Sequence, residues 1–132
     1  MIFLKEGFIT EKSGAPTEAD MVFDVRCLPN PFYIDELRDK TGLDSEVYDY
    51  VMEKPETKGF ADRLFDMMDY LIPLYSDEGK SSLVIAIGCT GGKHRSVTLA
   101  NELYERLSVA EKEYGVRKEH RDIEKDAITK AK

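Results

Sequence analysis

Two periodicities organise this chain. Between residues 56 and 76 apolar side chains return every three or four positions, at Ala61, Leu64, Phe65, Met68, Leu71, Ile72 and Tyr75, while Asp62, Arg63, Asp66 and Asp69 fall between them. That spacing predicts a long helix with one buried stripe. Met67 and Met68 are assigned to its core as flexible filler, and Pro73 is expected to kink its last turns. A second helix is predicted over 94–114, burying Val97, Ala100, Leu103, Leu107 and Ala110 and closed by Gly115.

Between the helices the pattern changes. Residues 82–87 are a nearly continuous apolar run, as expected of a central strand covered on both faces and parallel to its neighbours. Residues 21–26 form a second short, β-branched run stopped by Pro29 and Pro31, which places Asp24 and Arg26 on one face. Further strands are expected over 1–9 and 116–123. The polar stretch 10–20, with Gly14 and Pro16, reads as a loop. Helical turns fit 34–40 and 45–54, with Gly42 stopping the first and Asp44 or Ser45 capping the second. Strands alternating with helices predict an α/β fold, a three-layer sandwich with a mostly parallel central sheet and ligands beyond the carboxyl ends of the strands. A length of 132 residues fits one domain, 1–132, with a core large enough to need no disulfide or metal staple.

Composition narrows the function. The net charge of −7 argues against a surface that attracts nucleic acid as a whole, so any polyanion site must be local. The basic residues near the C-terminus, Arg117, Lys118, His120, Arg121, Lys125, Lys130 and Lys132, are interleaved with Glu119, Asp122, Glu124 and Asp126 and read as a solvated mixed-charge tail; Asp122 and Glu124 receive no catalytic role. The two cysteines, Cys27 and Cys89, are expected to be free thiols. With His94 and His120 as its two histidines the chain cannot build a histidine-rich metal site, and neither a metal nor a cofactor is expected. No apolar run approaches the roughly 20 residues of a membrane span, and the N-terminus lacks the features of a secretory signal. The expected location is the cytoplasm, away from membranes.

The candidate chemistry lies between the central strand and the last helix, in Gly88-Cys89-Thr90-Gly91-Gly92-Lys93-His94-Arg95-Ser96. Gly91 and Gly92 let backbone N–H groups converge on an anion, and the helix N-terminus adds partial positive charge. Arg95 is suited to gripping a phosphate bidentately, Lys93 is a point charge, and the Thr90 and Ser96 hydroxyls can donate to phosphate or sugar oxygens. A plain structural reading has the glycines shaping a turn and Ser96 capping the helix. Three cations beside a helix N-terminus oppose its dipole unless an anion is present, which favours a ligand. The Cys89-x5-Arg95-Ser96 spacing also matches cysteine phosphatases, in which the thiolate attacks phosphorus. Against that stand Gly88, where such enzymes usually carry histidine, and the absence of an identifiable general-acid aspartate. Asp24 and Arg26 are second-tier candidates, equally readable as a strand-end ion pair.

The segments Phe23-Asp24-Val25-Arg26-Cys27-Leu28-Pro29-Asn30-Pro31, Leu37-Arg38, Thr41-Gly42-Leu43-Asp44 and Ala86 to Ser96 resemble the C-terminal domain of the bacterial RapZ/YvcJ family of RNase adapters and nucleotide-binding proteins. The likeness extends from the early loop to His120-Arg121-Asp122. It implies a domain that senses an amino-sugar metabolite, such as glucosamine-6-phosphate or a UDP-sugar, and in some members contributes to small-RNA binding and homo-oligomerisation. It places Thr90, Gly91, His94 and Arg95 in a ligand pocket with Arg26 and Asp24. Phe32 stands where the family often has histidine, so one polar contact is missing. The chain has no counterpart of the family's N-terminal kinase-like half and its Walker A loop, so nucleotide hydrolysis is not expected. The combined expectation is a non-enzymatic sensor. Loop amides (including those of Gly91 and Gly92), Thr90, Arg95 and Ser96 hold phosphate, and His94, Lys93 and Arg26 reach the sugar or a second anion. A Cys89-dependent phosphatase and an RNA-binding or oligomerisation scaffold are the alternatives.

Overall fold

A computed structural model of the chain describes residues 2–8, 19–80, 82–89, 94–110 and 115–120. Among these residues four strands, β1 (Ile2–Phe8), β2 (Met21–Asp24), β3 (Leu83–Cys89) and β4 (Val116–His120), form one sheet in the order β2-β3-β1-β4. Every pairing is parallel, with Ile2 opposite both Leu83 and Val116, and Asp24 opposite Gly88. The fold is an α/β sandwich. β3 is paired on both edges and all seven of its residues are buried, as its unbroken apolar sequence requires of a strand covered on both faces.

Three α-helices among the described residues accompany the sheet: α1 (Ser45–Met52), α2 (Pro55–Asp77) and α3 (Arg95–Ala110). One apolar core joins Leu83, Ile85, Ile87 and Cys89 of β3 with Val47 and Val51 of α1, Ala61, Leu64, Met68 and Ile72 of α2, and Leu99, Leu103 and Leu107 of α3. Because alternate strand residues point to opposite faces, these helices share the face of the odd-numbered β3 side chains. On the other face Val84 and Ala86 are buried as well.

Several boundaries differ from the expected ones for local reasons. β2 stops at Asp24 rather than Arg26, because the Asp24 carboxylate accepts from the Arg26 backbone N–H (2.9 Å) and folds the chain into a turn. The expected helical turns over 34–40 are present, with the Leu37 and Arg38 N–H groups donating to the Ile34 carbonyl (2.9 and 3.0 Å), but they are preceded by a 3-10 turn, Pro31–Tyr33. It starts early because Asn30 caps the Phe32 N–H (3.1 Å) and Pro31 is preset at the first position. α1 ends at Met52, and Asp44, although at its N-cap, accepts instead from the Thr41 N–H (2.9 Å). Met67 is half exposed while Met68 is fully buried, so the stripe selects the second of the two methionines. Pro73 lies inside α2, which continues to Asp77. The expected loop 10–18, the helix positions 111–114 and the basic tail from Arg121 onward, with Asp122 and Glu124, lie outside the described residues. No described helix is long and apolar enough to cross a membrane.

Candidate functional site

β2 and β3 run in parallel and end level with each other, so Asp24 and Cys89 reach the same carboxyl edge of the sheet, where α3 begins. The strand end and the helix start are joined through sulfur. The Cys89 Sγ–H donates to Ser96 Oγ (3.2 Å) and the Ser96 N–H points back to Sγ (3.4 Å), with both residues fully buried. Thr90, Gly91, Gly92 and Lys93, which span the gap between them, lie outside the described residues.

His94 and Arg95 are 4 % exposed, unusual burial for two consecutive basic residues. The His94 ring Nε2 is 3.2 Å from the Leu37 carbonyl oxygen. Its own carbonyl accepts from the Thr98 N–H (3.0 Å) and Oγ1–H (2.9 Å), which makes it the first acceptor of α3. Arg95 turns its Nη1 to the backbone, donating to the carbonyls of Arg26 (2.6 Å) and Leu28 (3.1 Å). Its Nε is buried and has no hydrogen-bond partner among the described residues.

Asp24 and Arg26 form an ion pair at the surface. Arg26 Nε lies 2.9 and 2.8 Å from the two Asp24 oxygens, and Nη2 lies 2.5 Å from Oδ2. The hydrogen bonds from Arg26, with the more distant Arg95 adding to them, hold the Asp24 carboxyl below the usual carboxylate range, and the carboxylate in turn raises the Arg26 guanidinium. The Arg26 side chain is therefore engaged by Asp24, and what it contributes to Arg95 is its carbonyl.

The sequence did not point to the partners of these groups. Leu28 and Leu37 act through backbone carbonyls, which carry no residue signature. Gly42 serves as a close-approach point rather than a helix stop: a Cβ there would stand 2.7 Å from the Thr98 nitrogen and 2.8 Å from the His94 carbonyl oxygen. Tyr48 of α1 donates to Glu102 of α3, which also accepts from Arg106 Nε (2.9 Å). Burial, then the bond to Glu102, pushes the Tyr48 hydroxyl well above its ordinary value and keeps it a donor. Beside this contact, Gly42, Leu43, Asn101 and Lys118 help line an open cleft of about 320 Å³. Among the described residues no three His, Cys, Asp or Glu side chains converge as a metal site.

A family model described as the RapZ C-terminal domain matches residues 7–124. A protein of Agathobacter rectalis is 62 % identical over 117 residues, covering 89 % of this chain and 40 % of that protein. Proteins of Clostridium beijerinckii and Caldicellulosiruptor saccharolyticus are 55 % and 56 % identical over 115 residues, each covering 87 % of this chain. All three relatives are named nucleotide-binding protein. The chain spans about two fifths of the length of the curated relatives it matches.

Proposed function

Because the chain belongs to the RapZ C-terminal domain family, we propose that it is a ligand-sensing domain that binds a phosphorylated amino sugar or a nucleotide sugar where β3 passes into α3. The observation that carries the reading is Arg95: a guanidinium 4 % exposed at a helix N-terminus, with one end held by two carbonyls and its Nε without a partner among the described residues. A buried charged donor left unsatisfied is costly, and an oxyanion beside the helix dipole is the ligand that satisfies it. The name shared by the relatives supports a nucleotide or nucleotide sugar among the candidates. In this reading Thr90, Ser96 and the amides of Gly91 and Gly92 hold the phosphate, while Lys93, His94 and, more distantly, Arg26 and Asp24 face the remainder of the ligand.

A phosphatase reading is favoured by one observation, the paired contacts between Cys89 Sγ and Ser96, which place a hydroxyl and an amide on the sulfur of a Cys-x5-Arg-Ser loop. Against it, Cys89 has no exposed surface and Arg95 Nη1 is committed to backbone carbonyls. A contribution to small-RNA binding in the cytoplasm, through an oligomer that concentrates positive charge, extends the sensor reading and requires affinity to fall steeply with salt. Calorimetric titration of glucosamine-6-phosphate, a UDP-sugar and inorganic phosphate into wild type and Arg95→Ala, with released phosphate assayed in the same samples, separates the readings. Binding without turnover, weakened by about 100-fold or more in Arg95→Ala, is expected of the sensor. Turnover abolished by Cys89→Ser identifies a phosphatase, and no binding at all defeats both.

A further inference from the structure

The two buried basic residues of the site grip the same piece of backbone from both sides. Arg95 Nη1 holds the Arg26 and Leu28 carbonyls at one end, and His94 Nε2 meets the Leu37 carbonyl at the other. Between these anchors the chain makes the Pro31–Tyr33 turn, which exposes two aromatic rings: Tyr33 is 76 % and Phe32 45 % exposed, packed edge to face at 5.7 Å between centroids. The turn is stiff. Asn30 caps it, Arg38 Nε donates to the Phe32 carbonyl (3.0 Å), and the Arg38 guanidinium lies 5.2 Å over the Phe32 ring.

We propose that occupancy of the site is read out at this turn: an oxyanion on the free Nε edge of Arg95 resets the Nη1 clasp on Arg26 and Leu28 and so repositions Phe32 and Tyr33. The inference rests on the ligand reading above and adds its regulation. A guanidinium is one rigid plane, so moving its Nε edge onto an anion necessarily moves Nη1 against the two carbonyls. The neighbouring carboxylate does not absorb that change, because both oxygens of Asp24 are bonded to Arg26. The Leu37 anchor is held by the residue immediately before Arg95, so both ends of the turn respond to the same helix start. The turn is thereby a surface whose aromatic pair is presented differently in the filled and empty states, a two-state element biased by the ligand.

The chain contains no tryptophan, so Tyr33→Trp supplies a single reporter at an exposed position, and Tyr70→Trp, 72 % exposed on α2, supplies a distant control. Each is titrated with glucosamine-6-phosphate, UDP-N-acetylglucosamine and inorganic phosphate while binding is followed by calorimetry. The expected result is a saturable emission change from Tyr33→Trp whose midpoint agrees with the calorimetric Kd within about twofold, with a flat Tyr70→Trp signal. In the unsubstituted chain, amide exchange of residues 26–38 is expected to change by at least about threefold at saturation. Calorimetric binding with silent Tyr33→Trp and unchanged exchange overturns the coupling and leaves the binding function standing. An equal response at both reporters overturns a local readout, and no heat from any probe in a folded protein overturns the coupling and the binding function together.

Discussion

At the scale of single residues, this site depends on contacts that tolerate little change. Gly42 shows it most simply. Its backbone lies so close to α3 that a single added methyl would meet Thr98 and the His94 carbonyl at 2.7 and 2.8 Å, and the nearest listener is rigid helix backbone rather than a yielding side-chain tip. Gly42→Ala is expected to destabilise the protein by about 1–3 kcal/mol, read as a lower midpoint in urea; an unchanged midpoint would show that the loop can lift away from α3. Carboxylates set a second residue-scale expectation. For Asp20, burial pushes the carboxyl up, but the Val84 N–H (2.8 Å) and Lys80 (2.9 Å) outweigh it and hold it below its ordinary value of 3.8. Asp24 is lowered by Arg26. A depressed folded value means stabilisation that is fully present above the unfolded value and is lost as pH falls through the folded one. Stability should therefore decline below about pH 4, by no more than about 1 kcal/mol for the pair after solvent screening. Asp20→Asn should flatten part of that decline, and an identical acid profile in that variant would refute the assignment.

At the scale of elements, the sequence was most readable where one physical rule acted alone. β3 could be recognised because a strand covered on both faces has nowhere to place a polar side chain, and α2 because a single stripe must face the core. Readability failed where two local rules competed. Asp24 bonds the Arg26 N–H and so ends a strand that apolar character alone would have extended, and Asp44 holds the N-cap position of α1 but spends its side chain on the Thr41 N–H. Met67 and Met68 are both assigned to the core as apolar filler, but only Met68 falls on the three-and-four stripe, and Met67 is half exposed. The joint between α1 and α3 gives a prediction at this scale. Tyr48 donates to Glu102, whose other oxygen is held by Arg106, and Arg106 also reaches Asp62 of α2 at 3.0 Å. Tyr48→Phe removes one donor and leaves Glu102 still paired with Arg106. A loss of about 1 kcal/mol in denaturant unfolding is expected, whereas Glu102→Gln, which removes the charge that Arg106 Nε pairs with and leaves one acceptor oxygen for two donors, should cost more.

At the scale of the whole molecule, the place of the candidate loop at the sheet edge followed from topology, and the hydrogen bonds of Arg95 did not. A loop between a buried strand and a helix, rich in glycine and cations, marks the carboxyl edge of a parallel sheet from sequence alone. That Arg95 would spend Nη1 on the carbonyls of Arg26 and Leu28 depends on tertiary approach of segments nearly 70 positions apart, which no residue type announces. The same architecture sets the behaviour of the two thiols. Cys27 is exposed, whereas Cys89 ends the central strand beneath the start of α3. A thiol reagent should label Cys27 at once, and Cys89 only through opening of the β3–α3 core, at a rate that reports the free energy of that opening. Met68→Ala, a change in the same core but on α2, should lower stability by about 2–5 kcal/mol and speed Cys89 labelling by roughly 30- to several-thousand-fold if the opening is global. If labelling is unmoved by Met68→Ala, Cys89 is reached by local opening where β3 meets α3. Saturating ligand at about 100 times its Kd should then protect Cys89 through that local opening, by as much as about 100-fold.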